Sequence, residues 1–187
     1  VKEDSFFEKL NKATTPKFFN FLLENNFLGD KTGKGFYQKT KQRDENGRTI
    51  INALDLKTLE YRKSVRPKIS LIKEAKGIEK IDRRFQLLIS KDEKESLFLK
   101  EYFAAILSYS AKRVPEISDN CYQLDDAMRA GYVWDYGPFQ YWDLIGFDKG
   151  ISLINECGET LPKWINDMKA SGANCFYKYE NGEKKYY

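Results

Sequence analysis

Histidine is absent from all 187 positions of the chain. That removes Ser-His and Cys-His nucleophile pairs, imidazole general bases and nearly all zinc-site chemistry. Any catalysis by these residues alone has to run on carboxylates, lysine, tyrosine or cysteine. Cysteine is scarce: Cys121, Cys157 and Cys175 lie too far apart for a CxxC pair. An odd, sparse set fits small apolar packing in a reducing, cytoplasmic setting better than reactive thiols. Long apolar runs are missing too. None approaches the roughly 20 residues of a membrane helix, and a mean hydropathy of -0.65 with 32% charged residues points the same way. The opening VKEDSFFEKL has no signal-peptide h-region and begins at Val1, which reads as a cut made inside a longer chain.

What is present suits one ordinary domain or two small ones. Hydrophobic residues make up 41% and aromatics 15%, enough for a bulky core. The net charge of +4 permits an anionic ligand without demanding nucleic acid.

Residues 5–28 read as helical, with Phe6, Phe7 and Leu10 on one short face. Thr15 is expected to cap a helix opened by Pro16, with Phe18, Phe19, Leu22 and Leu23 at helical spacing and Gly29 as the stop. A glycine-rich turn and a hairpin follow: Gly-Phe-Tyr begins one strand, Glu45-Asn46-Gly47 turns, and Arg48–Leu54 returns. Residues 55–70 have weak periodicity and Pro67, and are the best linker candidate.

Helices resume from about 70 to 113, where Leu99, Phe103, Ile106 and Leu107 form a wide apolar stripe. Further helices are expected after Ser118 (Cys121, Leu124, Met128 inward, Gly131 as the stop), at Gly137-Pro138 (Phe139, Trp142, Ile145 inward), behind an Asp148 cap, and at Thr160-Leu161-Pro162 (Trp164, Ile165, Met168). The pattern predicts a mainly α bundle with two short hairpins.

The chain ends on a second hairpin that echoes the first. Phe36-Tyr37-Gln38-Lys39 before Glu45-Asn46-Gly47 is matched by Phe176-Tyr177-Lys178 before Glu180-Asn181-Gly182. This looks like an internal repeat whose first copy lacks its front half.

Four clusters are candidates for function. GDKTGKGFY matches neither the P-loop nor the dinucleotide fingerprint, and reads as a structural turn. Lys31, Lys34, Lys39, Lys41 and Arg43, with interleaved aromatics, could meet single-stranded nucleic acid or coenzyme A phosphates, but read first as a solvated hairpin face. Asp125, Asp126, Asp143 and Asp148 could form an acid-base pair or magnesium site; structural roles are favoured. The segment 130–147 crowds Tyr132, Trp134, Tyr136, Phe139, Tyr141, Trp142 and Phe147 together. One helix buries only some of these, so a contact surface carried by Tyr132, Trp134, Phe139 and Trp142 is expected, with an all-core packing as the alternative.

Here the sequence resembles a known family. Asp126-Ala127-Met128-Arg129-Ala130-Gly131-Tyr132, then Gly137-Pro138-Phe139 and Asp143-Leu144-Ile145-Gly146-Phe147-Asp148, resembles the signature of the 3-hydroxyacyl-CoA dehydrogenase C-terminal domain. Gly29-Asp30-Lys31-Thr32-Gly33-Lys34-Gly35-Phe36-Tyr37 resembles that family's closing motif. LDLKTLEYR (54–62) looks like the stretch joining two such copies in long bacterial β-oxidation proteins, where an enoyl-CoA hydratase domain typically follows. Tyr132 stands for the usual Phe, and Asp135-Tyr136 for Pro-Met. Both changes alter packing rather than chemistry.

The resemblance implies a 6-phosphogluconate-dehydrogenase C-terminal-like helical bundle. Its parts would be a first-copy remnant (1–54), a linker (55–70) and a second copy (71–187). It implies that the parent enzyme oxidises a 3-hydroxyacyl-CoA with NAD, and that the NAD-binding domain and the catalytic histidine with its glutamate partner lie elsewhere. The helix Leu97–Arg113 has no counterpart of the family's Asn-Arg pair. No catalytic, cofactor-binding or metal residue is therefore expected in this fragment. The expected partners are the NAD-binding domain and first copy of the same chain, acyl-CoA in the parent enzyme, and a homodimer as a further candidate; nucleic acid and membrane are not expected partners.

Overall fold

The computed structural model describes residues 4, 8, 12–180 and 183–186. It is mainly helical, with eight α-helices and two small antiparallel sheets among the described residues. The chain divides into two compact units, residues 1–67 and 68–187.

Unit one contains helix α1 (Lys17–Glu24) and a three-stranded sheet, β1 (Tyr37–Arg43), β2 (Thr49–Leu54) and β3 (Tyr61–Lys63). Pro16 occupies the N-cap of α1, so the helix starts one residue later than expected and Thr15 does not cap it. Proline's missing N–H is harmless there. The helix expected to stop at Gly29 ends earlier, at Glu24, and Asn26 just beyond it adopts φ 55°, a residue type that tolerates this region. The hairpin turn forms as expected: the Asp44 carboxylate accepts the Asn46 and Arg48 N–H groups at 2.9 and 2.8 Å. Part of the expected linker is structured, because Asn52, Ala53 and Leu54 pair with Lys63, Arg62 and Tyr61. A strand of three residues is too short for period-2 alternation to register. Phe6, Phe7 and Leu10 lie outside the described residues.

Unit two contains α2 (Ser70–Lys76), α3 (Ile81–Leu88), α4 (Lys94–Ile117), α5 (Cys121–Tyr132), α6 (Pro138–Ile145), α7 (Phe147–Glu156), α8 (Lys163–Ala170) and the hairpin β4 (Tyr177–Glu180) and β5 (Glu183–Tyr186). The long helix α4 is the spine. Its Phe103, Ala104, Leu107, Ala111 and Val114 are buried against α5, α6 and α7. Small residues on that face, including Ser108, which donates to the Thr160 carbonyl at 2.9 Å, let the helices approach closely. Trp164 of α8 donates its Nε1–H to the Ala111 carbonyl at 3.0 Å.

Several helix ends differ from expectation. Asn120 is the N-cap of α5, while Ser118 hydrogen-bonds Asn120 and Gln123. The α5 terminus runs past Gly131 to Val133, which adopts φ 55°, a costly left-handed conformation for a β-branched residue. Gly146, not Asp148, is the N-cap of α7; Asp148 sits in its first turn and pairs with Lys169 at 2.8 Å. The Asn181-Gly182 part of the second turn lies outside the described residues.

Candidate functional site

The signature segment converges on one buried carboxylate. Asp125, on the inner face of α5, is almost fully buried. Its Oδ1 accepts the Phe139 N–H at 2.8 Å and its Oδ2 accepts the Gln140 N–H at 3.0 Å. These are the second and third residues of α6, whose N-terminal amides have no partner within the helix. Gly137 has no side chain to cap them, so Asp125 reaches across from the neighbouring helix as the cap. A charged acceptor at a helix N-terminus also gains from the dipole. The Gln140 side chain returns to accept the Gly137 N–H at 2.9 Å.

The approach explains the glycine: a Cβ at Gly137 would stand 2.4 Å from the Asp125 side chain. A second close approach fixes α7. A Cβ at Gly150 would stand 2.1 Å from Trp142 Nε1, and that indole N–H donates to the Phe147 carbonyl at 3.0 Å.

The closing hairpin hangs from the same frame. Tyr177 donates its hydroxyl to Asp125 Oδ2 at 2.7 Å. Asp143, on α6, accepts the Phe176 N–H at 2.9 Å and the Tyr177 N–H at 3.0 Å. Phe176 is thereby driven into a ring cluster, with centroids 4.9 Å from Phe139, 5.2 Å from Trp142, 5.4 Å from Phe147 and 6.1 Å from Trp164. Burial, then the adjacent Asp125 carboxylate, raises the Tyr177 hydroxyl well above its ordinary range. Burial, then Asp125 and Asp143, pushes the Cys121 thiol up to about 12. A thiol so protonated is a packing group and not a nucleophile.

The other candidates are placed as follows. Asp126 points outward to Arg129 at 3.5 Å. In the glycine-rich turn, the N–H groups of Gly29, Thr32, Gly33, Lys34 and Gly35 all bond to carbonyls of the same turn or the strand after it, so it is a closed structural turn. Lys34 lies 4.2 Å from the Phe27 ring centroid and 4.3 Å from that of Tyr61, Lys39 pairs with Asp30 at 3.2 Å, and Arg43 donates to the Gly47 carbonyl at 2.8 Å.

The four residues expected to form a contact surface separate. Phe139 and Trp142 are fully buried and belong to the core; they lie on the same side of α6 as Ile145, packed among Phe147, Trp164 and Phe176, so as placed they offer no surface to a partner. Tyr132 is 69% exposed and Trp134 is half-buried. Two further exposed aromatics, Tyr102 and Phe98 on α4, were missed by the sequence reading, and the buried Phe103 stands between them and this pair. Ring contacts run from Tyr132 to Trp134 (6.1 Å), Trp134 to Tyr141 (6.1 Å), Tyr141 to Phe103 (5.7 Å), Phe103 to Tyr102 (5.5 Å) and Tyr102 to Phe98 (6.3 Å). Phe98 is 66% exposed. The spacing 98, 102, 109 along α4 was the available signal, one helical stripe of aromatics outside the buried face. Beside it a depression of about 390 Å³ is lined by Asp126, Arg129, Ala130, Val133, Trp134 and Asp135.

No protein-family model matches the chain. The chain is 34% identical over 172 residues to a Bacillus subtilis (strain 168) protein named as a 3-hydroxyacyl-CoA dehydrogenase, a match covering 92% of the chain and 21% of that relative. It is 28% identical over 163 residues to a protein of Rickettsia prowazekii named as a fatty acid oxidation complex trifunctional enzyme, covering 81% of the chain and 20% of the relative. A Rickettsia felis protein of the same name is 28% identical over 137 residues, 71% of the chain and 16% of the relative. The chain thus spans about a fifth of the length of the relatives it matches. With the Asp125, Gly137-Pro138-Phe139 and Asp143 frame in place, the similarity has a structural content: the chain is homologous to the C-terminal region of 3-hydroxyacyl-CoA dehydrogenases.

Proposed function

We propose that the chain is a non-catalytic C-terminal region of an NAD-dependent 3-hydroxyacyl-CoA dehydrogenase of fatty acid β-oxidation, packing against the rest of that enzyme and helping to wall its acyl-CoA cleft. The observation that carries this reading is the use made of two carboxylates, one just before the signature and one within it. Asp125 and Asp143 accept backbone N–H groups and a tyrosine hydroxyl that hold a helix and a hairpin in place, a scaffolding role. The histidine count of zero accords with it, since hydride transfer from an alcohol needs a base for the hydroxyl proton.

The described residues do not themselves fit NAD. A dinucleotide fold needs parallel strands and a glycine-rich strand-to-helix turn, whereas both sheets here are antiparallel. No hydride step is therefore assigned to this chain. The exposed rings of Tyr132 and Phe98, with Trp134 and Tyr102 beside them, serve as contacts with the remainder of the enzyme, as exposed aromatics commonly do.

The test is acetoacetyl-CoA reduction by the purified chain, followed by NADH absorbance. The expected result is no turnover above the uncatalysed rate. Turnover by the chain alone, abolished by a substitution within it, overturns the reading.

A further inference from the structure

The two units repeat more than a hairpin. Pro16-Lys17-Phe18-Phe19-Asn20 at the start of α1 matches Pro162-Lys163-Trp164-Ile165-Asn166 at the start of α8, and each proline is the N-cap. In both units this helix leads into a Phe-Tyr strand. The ring contact between helix and strand is the same: Phe18 to Phe36 is 6.0 Å at 60°, and Trp164 to Phe176 is 6.1 Å at 68°.

The environments of these matched residues then diverge. Ile165 and Phe176 are buried, at 0% and 1% exposure, whereas their counterparts Phe19 and Phe36 stand at 45% and 41%. Tyr177 is half-buried with its hydroxyl on Asp125, and Tyr37 is 64% exposed. What covers Phe176 is α6 and α7, through Phe139, Trp142 and Phe147. What fixes Tyr177 is the aspartate pair on α5 and α6. Phe36 has ring neighbours in Phe18 and Phe19, both from α1, the counterpart of α8.

We infer that the face of unit one formed by Phe19, Phe36 and Tyr37 is a docking surface for a helical segment outside residues 1–187, with the chemistry of residues 121–156. That segment presents apolar helix faces to the three rings. It carries two carboxylates, one accepting the Phe36 and Tyr37 N–H groups as Asp143 does for Phe176 and Tyr177, and one accepting the Tyr37 hydroxyl as Asp125 does for Tyr177. Phe19 and Phe36, ring to ring at 5.9 Å and both partly exposed, with the exposed Tyr37 next in sequence, are what removal of such a cover leaves behind. The four fifths of each relative that the chain does not span is ample to supply it. The inference rests on the repeat within this structure and not on the dehydrogenase reading, so it survives or fails without reference to turnover.

Amide hydrogen exchange, compared between this chain and the full-length Bacillus subtilis relative, tests it. The amides aligned with Phe36 and Tyr37 should exchange at least about 100-fold more slowly in the long protein than in the 187-residue chain, while those aligned with Phe176 and Tyr177 should be protected alike in both. A paired substitution gives a second readout. Phe36→Asp should shift the urea midpoint of this chain little, and the aligned substitution should lower that of the relative strongly or prevent its folding; Phe36→Leu covers the latter case, with a smaller shift in the same order. Equal exchange at Phe36 and Tyr37 in the two proteins, or equal midpoint shifts, overturns the inference.

Discussion

Replacing Asp125 by alanine strands three donors at once: the Phe139 and Gln140 N–H groups and the Tyr177 hydroxyl. Leaving buried donors unsatisfied is expensive, so Asp125→Ala should lower unfolding free energy by roughly 3 kcal/mol, read from urea denaturation. Asp126→Ala, one position along but on the surface, should stay within about 0.5 kcal/mol of the parent. The same carboxylate shapes the alkaline limit. Below pH 9 the folded and unfolded chains both keep the Cys121 and Tyr177 protons. Above it the unfolded chain releases the thiol proton, and past pH 10 the phenol proton, while the folded chain holds the thiol proton to about 12 and the phenol proton well past its ordinary range. The unfolded state then binds fewer protons, so stability should fall as pH rises from 9. Tyr177→Phe should make that fall shallower above pH 10 in a series of thermal melts. The role of Asp125 was not legible beforehand. Its donors lie 14, 15 and 52 positions away, and consecutive aspartates on a helix reveal only that one of them faces inward.

Among the helices, α6 was the most legible: Gly137-Pro138 marks its start, and Phe139, Trp142 and Ile145 keep the spacing of one inward face. Phe139→Ala and Trp142→Ala should each cost about 3–5 kcal/mol. Tyr132→Ala should leave the melting temperature of the chain nearly unchanged and weaken association with a partner. A reversed order in a melting series, with Tyr132 the costlier, would count against the inward face assigned to α6. The exposed aromatics proposed as a contact surface were half legible. Crowded aromatics between 130 and 147 pointed to some of them, but the others lie on α4, where Phe98 and Tyr102 sit 30 or more positions upstream of Tyr132 and only the packing of α4 beside α6 brings them near. The strand β3 escaped notice because a three-residue edge is held by its partner β2 and not by a pattern of its own.

At the scale of the molecule the two units are unequally filled. Among the described residues, the buried apolar side chains of unit one are Leu22 and Leu54, and the others belong to unit two. Hydrophobic burial is the main favourable term in folding, so unit one should open first. Hydrogen exchange followed along a urea gradient should show its amides losing protection at lower urea than those of α4 and α6, and a single coincident transition would count against this. The residues between the units are exposed from Val65 to Lys68 and belong to no helix or strand. Exposed, irregular backbone is where proteases cut. Trypsin acts after lysine and arginine, but Pro67 follows Arg66 and blocks that bond, which leaves the Lys68–Ile69 peptide as the accessible scissile site. Brief digestion should therefore yield a persistent fragment starting at Ile69 while the remnant before it is degraded, so that the division of the fold is read as one surviving, shorter band on a gel.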